Sequence, residues 1–241
     1  MTDSDLWDSG TELLIGAEDL DKLRKSHVLV VGLGGVGAYA AEMICRAGVG
    51  EFTIVDNDAI TPSNRNRQLL ALKSTEGKYK TDVMEARMLD INPEVKIHKI
   101  REFIKDDRVD EILKTRFDYV VDAIDTVFPK IFFIYKTYQV GYQLVSSMGS
   151  GGKLDFEKIE ITDISKSYNC KLAHTIRKQL HKMGVRKGFK VVFSPEKVDL
   201  DTLEIIEEEK YIRSNVGTIS YMPAAFGIAM ASVVVRGLLK K

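Results

Sequence analysis

The chain has 241 residues, and its 35 Lys and Arg balance 35 Asp and Glu, for a formal net charge of zero. That length suits one large domain or a domain with an added lobe, and the neutral balance excludes a global field drawing the chain to nucleic acid or membrane. Two cysteines, Cys45 and Cys170, lack the number and spacing of a zinc site or a disulfide framework.

Residues 28–31 form a continuous apolar run, as in a central parallel strand covered on both faces. The turn Gly-Leu-Gly-Gly-Val-Gly at 32–37 leads into a helical pattern over 38–47 that stops at Gly48. A second strand, 52–55, ends on Asp56. Asp58 follows, then the polar run Ser63-Asn-Arg-Asn-Arg-Gln68. The spacing predicts a helix over 77–89 carrying Lys80, a strand over 95–100, a short helix over 107–113 and a strand over 119–123 that runs into Asp122-Ala-Ile-Asp125. Residues 129–138 read as a helix with Pro129 at its start, where a missing N–H costs least, and 144–147 as a fifth strand.

This alternation predicts an α/β fold with a doubly wound, mostly parallel Rossmann-like sheet. Ligands then sit at the carboxyl ends of the strands, where the glycine turn, Asp56 and Asp122 to Asp125 all fall. Beyond residue 152 the pattern changes. A strand is expected over 158–162, a basic helix over 171–183, a short strand over 191–193, loop over 199–209 and 211–218, and an apolar helix over 222–239. That last stretch contains Pro223 and Arg236 and keeps a helical period, so it reads as a buried helix and not a membrane span. We expect one domain, 1–241, with a nucleotide-binding core over 1–150 and a C-terminal part, 151–241, extending the same sheet. No basic segment followed by an apolar stretch opens the sequence, so no signal peptide is expected, and the location expected is cytoplasmic, without a membrane.

Gly32, Gly34, Gly35 and Gly37 let backbone approach a phosphate, and the helix that follows presents free N–H groups and its positive dipole end. Asp56 would accept hydrogen bonds from ribose hydroxyls. Arg67 and Lys80 would neutralise a triphosphate and the charge developing at its α-phosphorus. Asn64 and Gln68 could bond phosphate oxygens or a bound carboxylate, and Asp125 could hold Mg²⁺ together with phosphate oxygens. Two cations and several carboxylates beside a glycine turn point to triphosphate chemistry and away from hydride transfer, which the turn alone would support.

As a set, the 32–37 turn, Asp56-Asn-Asp58, Asn64-Arg-Asn-Arg-Gln68, Gly77-Lys-Tyr-Lys80 and Asp122-Ala-Ile-Asp125 resemble the ubiquitin-activating enzyme superfamily over the first 150 residues. The resemblance implies ATP and Mg²⁺ binding and activation of a carboxylate as an acyl-adenylate. In that reading Asp56 contacts the ribose, Asp58 and Asp122 belong to the nucleotide site, Asn64, Arg67 and Lys80 contact the phosphates, and Asp125 holds the metal. Arg67, Lys80 and Asp125 are the catalytic candidates.

Further segments narrow the choice. Val121 to Thr126, Val145 to Gly152, Ile161 to Ile164, the basic stretch, Val192-Phe-Ser194 and Gly217 to Gly227 are similar to the tRNA threonylcarbamoyladenosine dehydratase family across nearly the whole chain. This implies ATP-dependent cyclisation of threonylcarbamoyladenosine at position 37 of tRNA, a homodimer, and leaves open a monovalent cation and a sulfur-relay partner. An adenylyltransferase of a ubiquitin-like sulfur-carrier protein is the alternative, disfavoured by the absence of paired Cys-x-x-Cys motifs. A nucleotide-binding regulatory protein with weak catalysis is a third reading. It is kept open because the stretch from Trp7 to Ile15 lacks the arginine that relatives place there; Arg65 is the candidate replacement.

Between residues 164 and 190 there is no Asp or Glu. Arg177, Lys178, Lys182, Arg186 and Lys187 in that span are the candidate tRNA contacts, giving sequence-independent, salt-sensitive affinity. Cys170, near Lys171 and His174, reads as structural, as do Cys45, His27 and His98.

Overall fold

The computed structural model describes the backbone of residues 7–104, 106–199, 203–208 and 211–241, with side chains outside 203–215. Two short helices, α1 (Ser9–Ile15) and α2 (Ala17–Arg24), lead into β1 (His27–Val31), α3 (Gly37–Arg46), β2 (Glu51–Val55), α4 (Lys80–Ile91) and β3 (Lys96–Ile100). Next come α5 (Asp107–Ile112), β4 (Tyr119–Asp122), α6 (Val127–Val140) and β5 (Leu144–Ser147). The chain continues through β6 (Glu160–Asp163), α7 (Lys171–Lys182), β7 (Lys190–Phe193), β8 (Leu203–Glu208), β9 (Tyr211–Val216) and α8 (Tyr221–Leu239).

Seven strands form one sheet in the order β3-β2-β1-β4-β5-β7-β6, all neighbours parallel except β6 and β7. Every residue of β4 and β5 is buried, which is why these strands read as unbroken apolar runs ending in small or acidic residues. One core, under α3, α4 and α8, joins Ile44, Met84, Met88, Phe226 and Met230. The opposite core, under α5, α6 and α7, joins Val109, Phe133, Ile134, Ile176 and Phe193. Val31 lies opposite both Val55 and Asp122, so β1, β2 and β4 end level. Strand order reverses between β1 and β4, and this switch point opens a crevice at their carboxyl ends.

Three expectations change. The acidic stretch and the segment after it, read as loop, form an antiparallel ribbon separate from the main sheet, with Leu203 opposite Val216 and Glu208 opposite Tyr211; residues 200–202, 209 and 210 lie outside the described ones. Ribbon pairing is a backbone property, and Glu204, Glu207 and Glu208 masked it in the composition. α6 starts at Val127, two residues before Pro129. The proline still sits in the first turn, where no N–H has an intrahelical partner. α4 starts at Lys80, which puts Lys80 at the helix entrance and not one turn in.

α8 is the one described helix long and apolar enough to cross a membrane, and half of it is buried against the rest of the fold. It meets α3 at Gly227, where a Cβ would lie 2.5 Å from the Val36 carbonyl oxygen and 2.7 Å from Tyr39 Cβ. A Gly227→Ala substitution should force the two helices apart and cost about 1–3 kcal/mol, read as a lower urea midpoint with an unchanged slope.

Candidate active site

The crevice is a cleft of about 360 Å³. Gly32, Gly34, Gly35, Asp56, Asp58, Asn64, Arg67, Gln68, Lys80 and Asp125 line it. Gly37 and Asp122 do not.

The glycine turn is built by contact. Gly32 adopts φ +89°, and a Cβ there would sit 2.6 Å from the Ala123 carbonyl oxygen. Gly37 packs beneath the turn, where a Cβ would strike the Gly32 carbonyl at 1.8 Å. Its role is therefore to let α3 start close under the strand. Gly34 is open on the cleft side: the nearest atom to a Cβ there is Gln68 Nε2 at 4.0 Å. No side chain among the described residues caps the start of α3; Ala38 N turns back to the Gly34 carbonyl at 3.3 Å, and the positive end of the helix dipole points to the cleft, where an anion is favoured.

Asp56 closes β2 and braces this turn. Its carboxylate accepts from Leu33 N at 2.7 Å and from Asp58 N at 2.8 Å. Burial is the main influence on its acidity and pushes its pKa up, with Lys80 opposing. Lys80, only 6 % exposed in its side chain, donates to Asp58 Oδ2 at 2.6 Å and lies 3.7 Å from Asp56 Oδ1. Asp58 itself is 57 % exposed. The lysine is thus held in place while its closest counter-ion can swing away, so an incoming phosphate can replace that carboxylate. Arg67 hydrogen-bonds the Ser63 carbonyl and Asn66 Oδ1, and Asn64 Oδ1 accepts from Thr61 N, so their side chains fix the polar loop. Gln68 Oε1 is buried without a hydrogen-bond partner among the described residues. An unpaired buried carboxamide oxygen is costly and would be satisfied by a donor on a bound ligand.

On the opposite wall, Asp122 is fully buried. Its Oδ2 receives Ser146 Oγ at 2.6 Å and the Lys130 ammonium at 2.8 Å, and its Oδ1 receives Ile124 N at 3.1 Å. Lys130 is equally buried and also donates to the Ile124 carbonyl at 3.0 Å. The sequence placed Asp122 in the nucleotide site; the structure places it below, with every oxygen engaged, where it anchors the loop that presents Asp125. Asp125 is exposed at the rim, and its Oδ1 accepts from Thr126 Oγ1.

Several lining residues were not read from the sequence. Glu102, Phe103 and Ile104 come from the segment after β3, and Ser150, Thr218 and Pro223 from distant parts of the chain. Asn66 Nδ2 donates to the Thr218 carbonyl, tying the polar loop to the segment between β9 and α8. Only folding brings these together, so no local spacing could reveal them. Arg65 is not among the residues lining the cleft; its Nε reaches the Pro62 carbonyl at 3.4 Å.

The basic segment divides in two. Arg177 turns inward and donates to the Ser167 carbonyl and hydroxyl. Lys178, Lys182, Arg186 and Lys187 are exposed and have no ion-pair partner among the described residues. On α7 Ala173, Ile176 and Leu180 face the core, which leaves Lys178 and Lys182 on the outward face. Cys170 is buried. Cys45 is buried too, and burial pushes its thiol up to about 12, which suits a packing role and not a nucleophile.

The ThiF family model matches residues 11–241. The tRNA threonylcarbamoyladenosine dehydratase of Bacillus subtilis is 38% identical over 243 residues, spanning 96% of this chain and 94% of the relative. The crystal structure of Escherichia coli tRNA N6-threonylcarbamoyladenosine dehydratase in complex with ATP superposes with a TM-score of 0.89 at 32% identity, covering 97% of this chain and 94% of that one. The AMP complex of the same protein superposes with a TM-score of 0.87 at 32% identity, covering 100% and 98%.

Two outcomes follow from the geometry. Lys130→Met leaves Asp122 buried and unpaired, and should cost about 3–5 kcal/mol, measured by chemical denaturation. Asp56→Asn keeps one acceptor for the turn. The folded chain holds a proton on Asp56 that the unfolded chain releases, so stability falls as pH rises above the ordinary carboxylate value through the raised one. The Asn variant should lose that acidic slope in a melting-temperature series against pH.

Proposed function

Because this chain belongs to the ThiF family, we propose that it uses ATP to dehydrate threonylcarbamoyladenosine at position 37 of tRNA. The observation that carries this reading is the cleft itself. A glycine turn leading into a helix without a side-chain cap, a buried Lys80 and an orphaned Gln68 oxygen converge there, in a chain superposable over 97% of its length on a dehydratase structure that contains ATP.

The residues fit a nucleotide. The open face of Gly34 and the α3 entrance take phosphate oxygens, the remaining lone pairs of Asp56 accept ribose hydroxyls, and Lys80 trades Asp58 for phosphate. Arg67, Asn64 and Gln68 flank the same space. Asp125 is the residue that would hold Mg²⁺, which when bound would draw negative charge from the phosphates. A carboxylate oxygen of the threonyl group attacks the α-phosphorus and pyrophosphate leaves. The carbamoyl group of the same side chain then attacks the activated carbonyl, and AMP departs with the former carboxylate oxygen. The second nucleophile is tethered, so proximity supplies much of its rate, and no enzyme cysteine is needed. Both cysteines are buried, in keeping with this.

Lys178, Lys182, Arg186 and Lys187 form the surface that receives the tRNA backbone, and Arg177 acts as a brace for that surface and not as a contact. Leu13 and Leu14 on α1 are 91% and 84% exposed, and no residue of α1 is buried, which supports a homodimer that covers this helix. The protein acts in the cytoplasm, where mature tRNA is found.

Incubation with ATP, Mg²⁺ and tRNA bearing threonylcarbamoyladenosine, followed by nucleoside mass analysis, should show loss of one water from the modified adenosine. Lys80→Ala should abolish it. An unchanged mass with persisting ATP–pyrophosphate exchange would favour a carrier-protein carboxylate instead. Lys178→Ala/Lys182→Ala should weaken tRNA binding and reduce the salt slope by roughly two, whereas Arg177→Ala should act mainly on stability.

A further inference from the structure

Two of the four histidines in the chain meet beside the amino ends of β1 and β2, His98 reaching there from the middle of β3. His27 opens β1 and lies directly opposite Glu51, the first residue of β2. His98, on β3, lies opposite Thr53. Neighbouring parallel strands and the two-residue period of β2 put all four side chains on one face of the sheet.

The donor atoms converge. His27 Nδ1 is 3.8 Å from Glu51 Oε1, and His98 Nε2 is 2.8 Å from the same oxygen. One ligand atom from each of the three residues lies within 4.8 Å of the other two. A tetrahedral ion with bonds of 2.0–2.2 Å needs ligand atoms about 3.3 Å apart, so small side-chain rotations suffice. The other nitrogen of His27, Nε2, is already 2.9 Å from Thr53 Oγ1. Histidine ligands characteristically have such a partner, which fixes the tautomer that offers Nδ1 to a metal. Phe117 packs edge-on against the His27 ring at 4.8 Å and limits its swing. His98 is 56% exposed in its side chain, which leaves an entry path and at least one coordination position facing solvent.

We propose that His27, Glu51 and His98 form a divalent transition-metal site of the zinc class, clasping β1, β2 and β3 at the end of the sheet opposite the nucleotide cleft. Two imidazoles and one carboxylate suit Zn²⁺ and neighbouring first-row ions better than Mg²⁺ or Ca²⁺, which prefer oxygen donors alone. The ion would bind the folded state only, because the three ligands come from separate strands, and would stabilise it by linkage.

The test uses full-length, tag-free protein and Co²⁺ as the probe, followed by Zn²⁺ displacement. Wild type should bind one equivalent with a visible d–d absorption band that Zn²⁺ abolishes. His98→Ala, a change at an exposed position, should lose the band, and Glu51→Gln should weaken binding by more than about 10-fold. His174→Ala/His181→Ala should retain it. Zn²⁺ should raise the melting temperature of wild type but not of His98→Ala, while ATP raises both alike. No saturable Co²⁺ binding in wild type, or an unchanged band in His98→Ala, would overturn the assignment without bearing on the nucleotide site.

Discussion

Charge buried at the ends of parallel strands is the constraint around which this molecule is organised. Burying an unpaired ammonium or carboxylate costs several kcal/mol, yet Lys80 and Lys130 are both removed from solvent beside the switch point, one on each wall. The two are compensated differently. Lys130 has a carboxylate and a carbonyl as partners, and its carboxylate partner has a hydroxyl and a backbone N–H in turn. Both side chains of that network are fully buried, out of a ligand's reach, and they position the loop leading to Asp125. Lys80 faces a carboxylate that is largely in water, so its compensation is exchangeable. One buried lysine is a fixture and the other a socket, and their difference separates scaffold from site.

The same distinction explains what the sequence made legible. The parallel core strands were readable because burial on both faces leaves an unmistakable apolar run, as over 28–31. The glycine turn, Asp56 and the polar loop were readable because phosphate chemistry requires those residue types close in sequence. Asp122 was read into the nucleotide site beside Asp125, since both are aspartates at the end of one strand, and only the partner on α6 shows that Asp122 is engaged by the fold. Lys130 carried no signal at all; a lysine in a helix is ordinarily a solvated face. The β8–β9 ribbon escaped because its backbone pairing is hidden under a run of glutamates, and Thr218 and Pro223 because the cleft draws them from a remote segment.

A second separation runs between the nucleotide and the nucleic acid. The cleft suits one small, highly charged ligand held by few side chains, with Lys80 and Asp56 buried and Asp58 and Asp125 open to solvent. The surface at and after α7 is the reverse, with Lys178, Lys182, Arg186 and Lys187 exposed and without an ion-pair partner among the described residues. That arrangement suits a polyanion bound through many weak, salt-sensitive contacts. A neutral chain therefore needs no global positive field to engage tRNA, because the acids are gathered elsewhere in the sequence. Arg177 shows how composition overstates such a surface, since one of its five candidates is spent on holding the segment before α7 in place.

If the cleft joins a carboxylate to the α-phosphorus of ATP, one oxygen of that carboxylate must leave with AMP. Oxygen-18 in the threonyl carboxylate of the modified tRNA tests it most directly. AMP formed in a single turnover should carry one labelled oxygen, with pyrophosphate unlabelled. Label in pyrophosphate or orthophosphate, or AMP free of label while water is lost from the nucleoside, would contradict it.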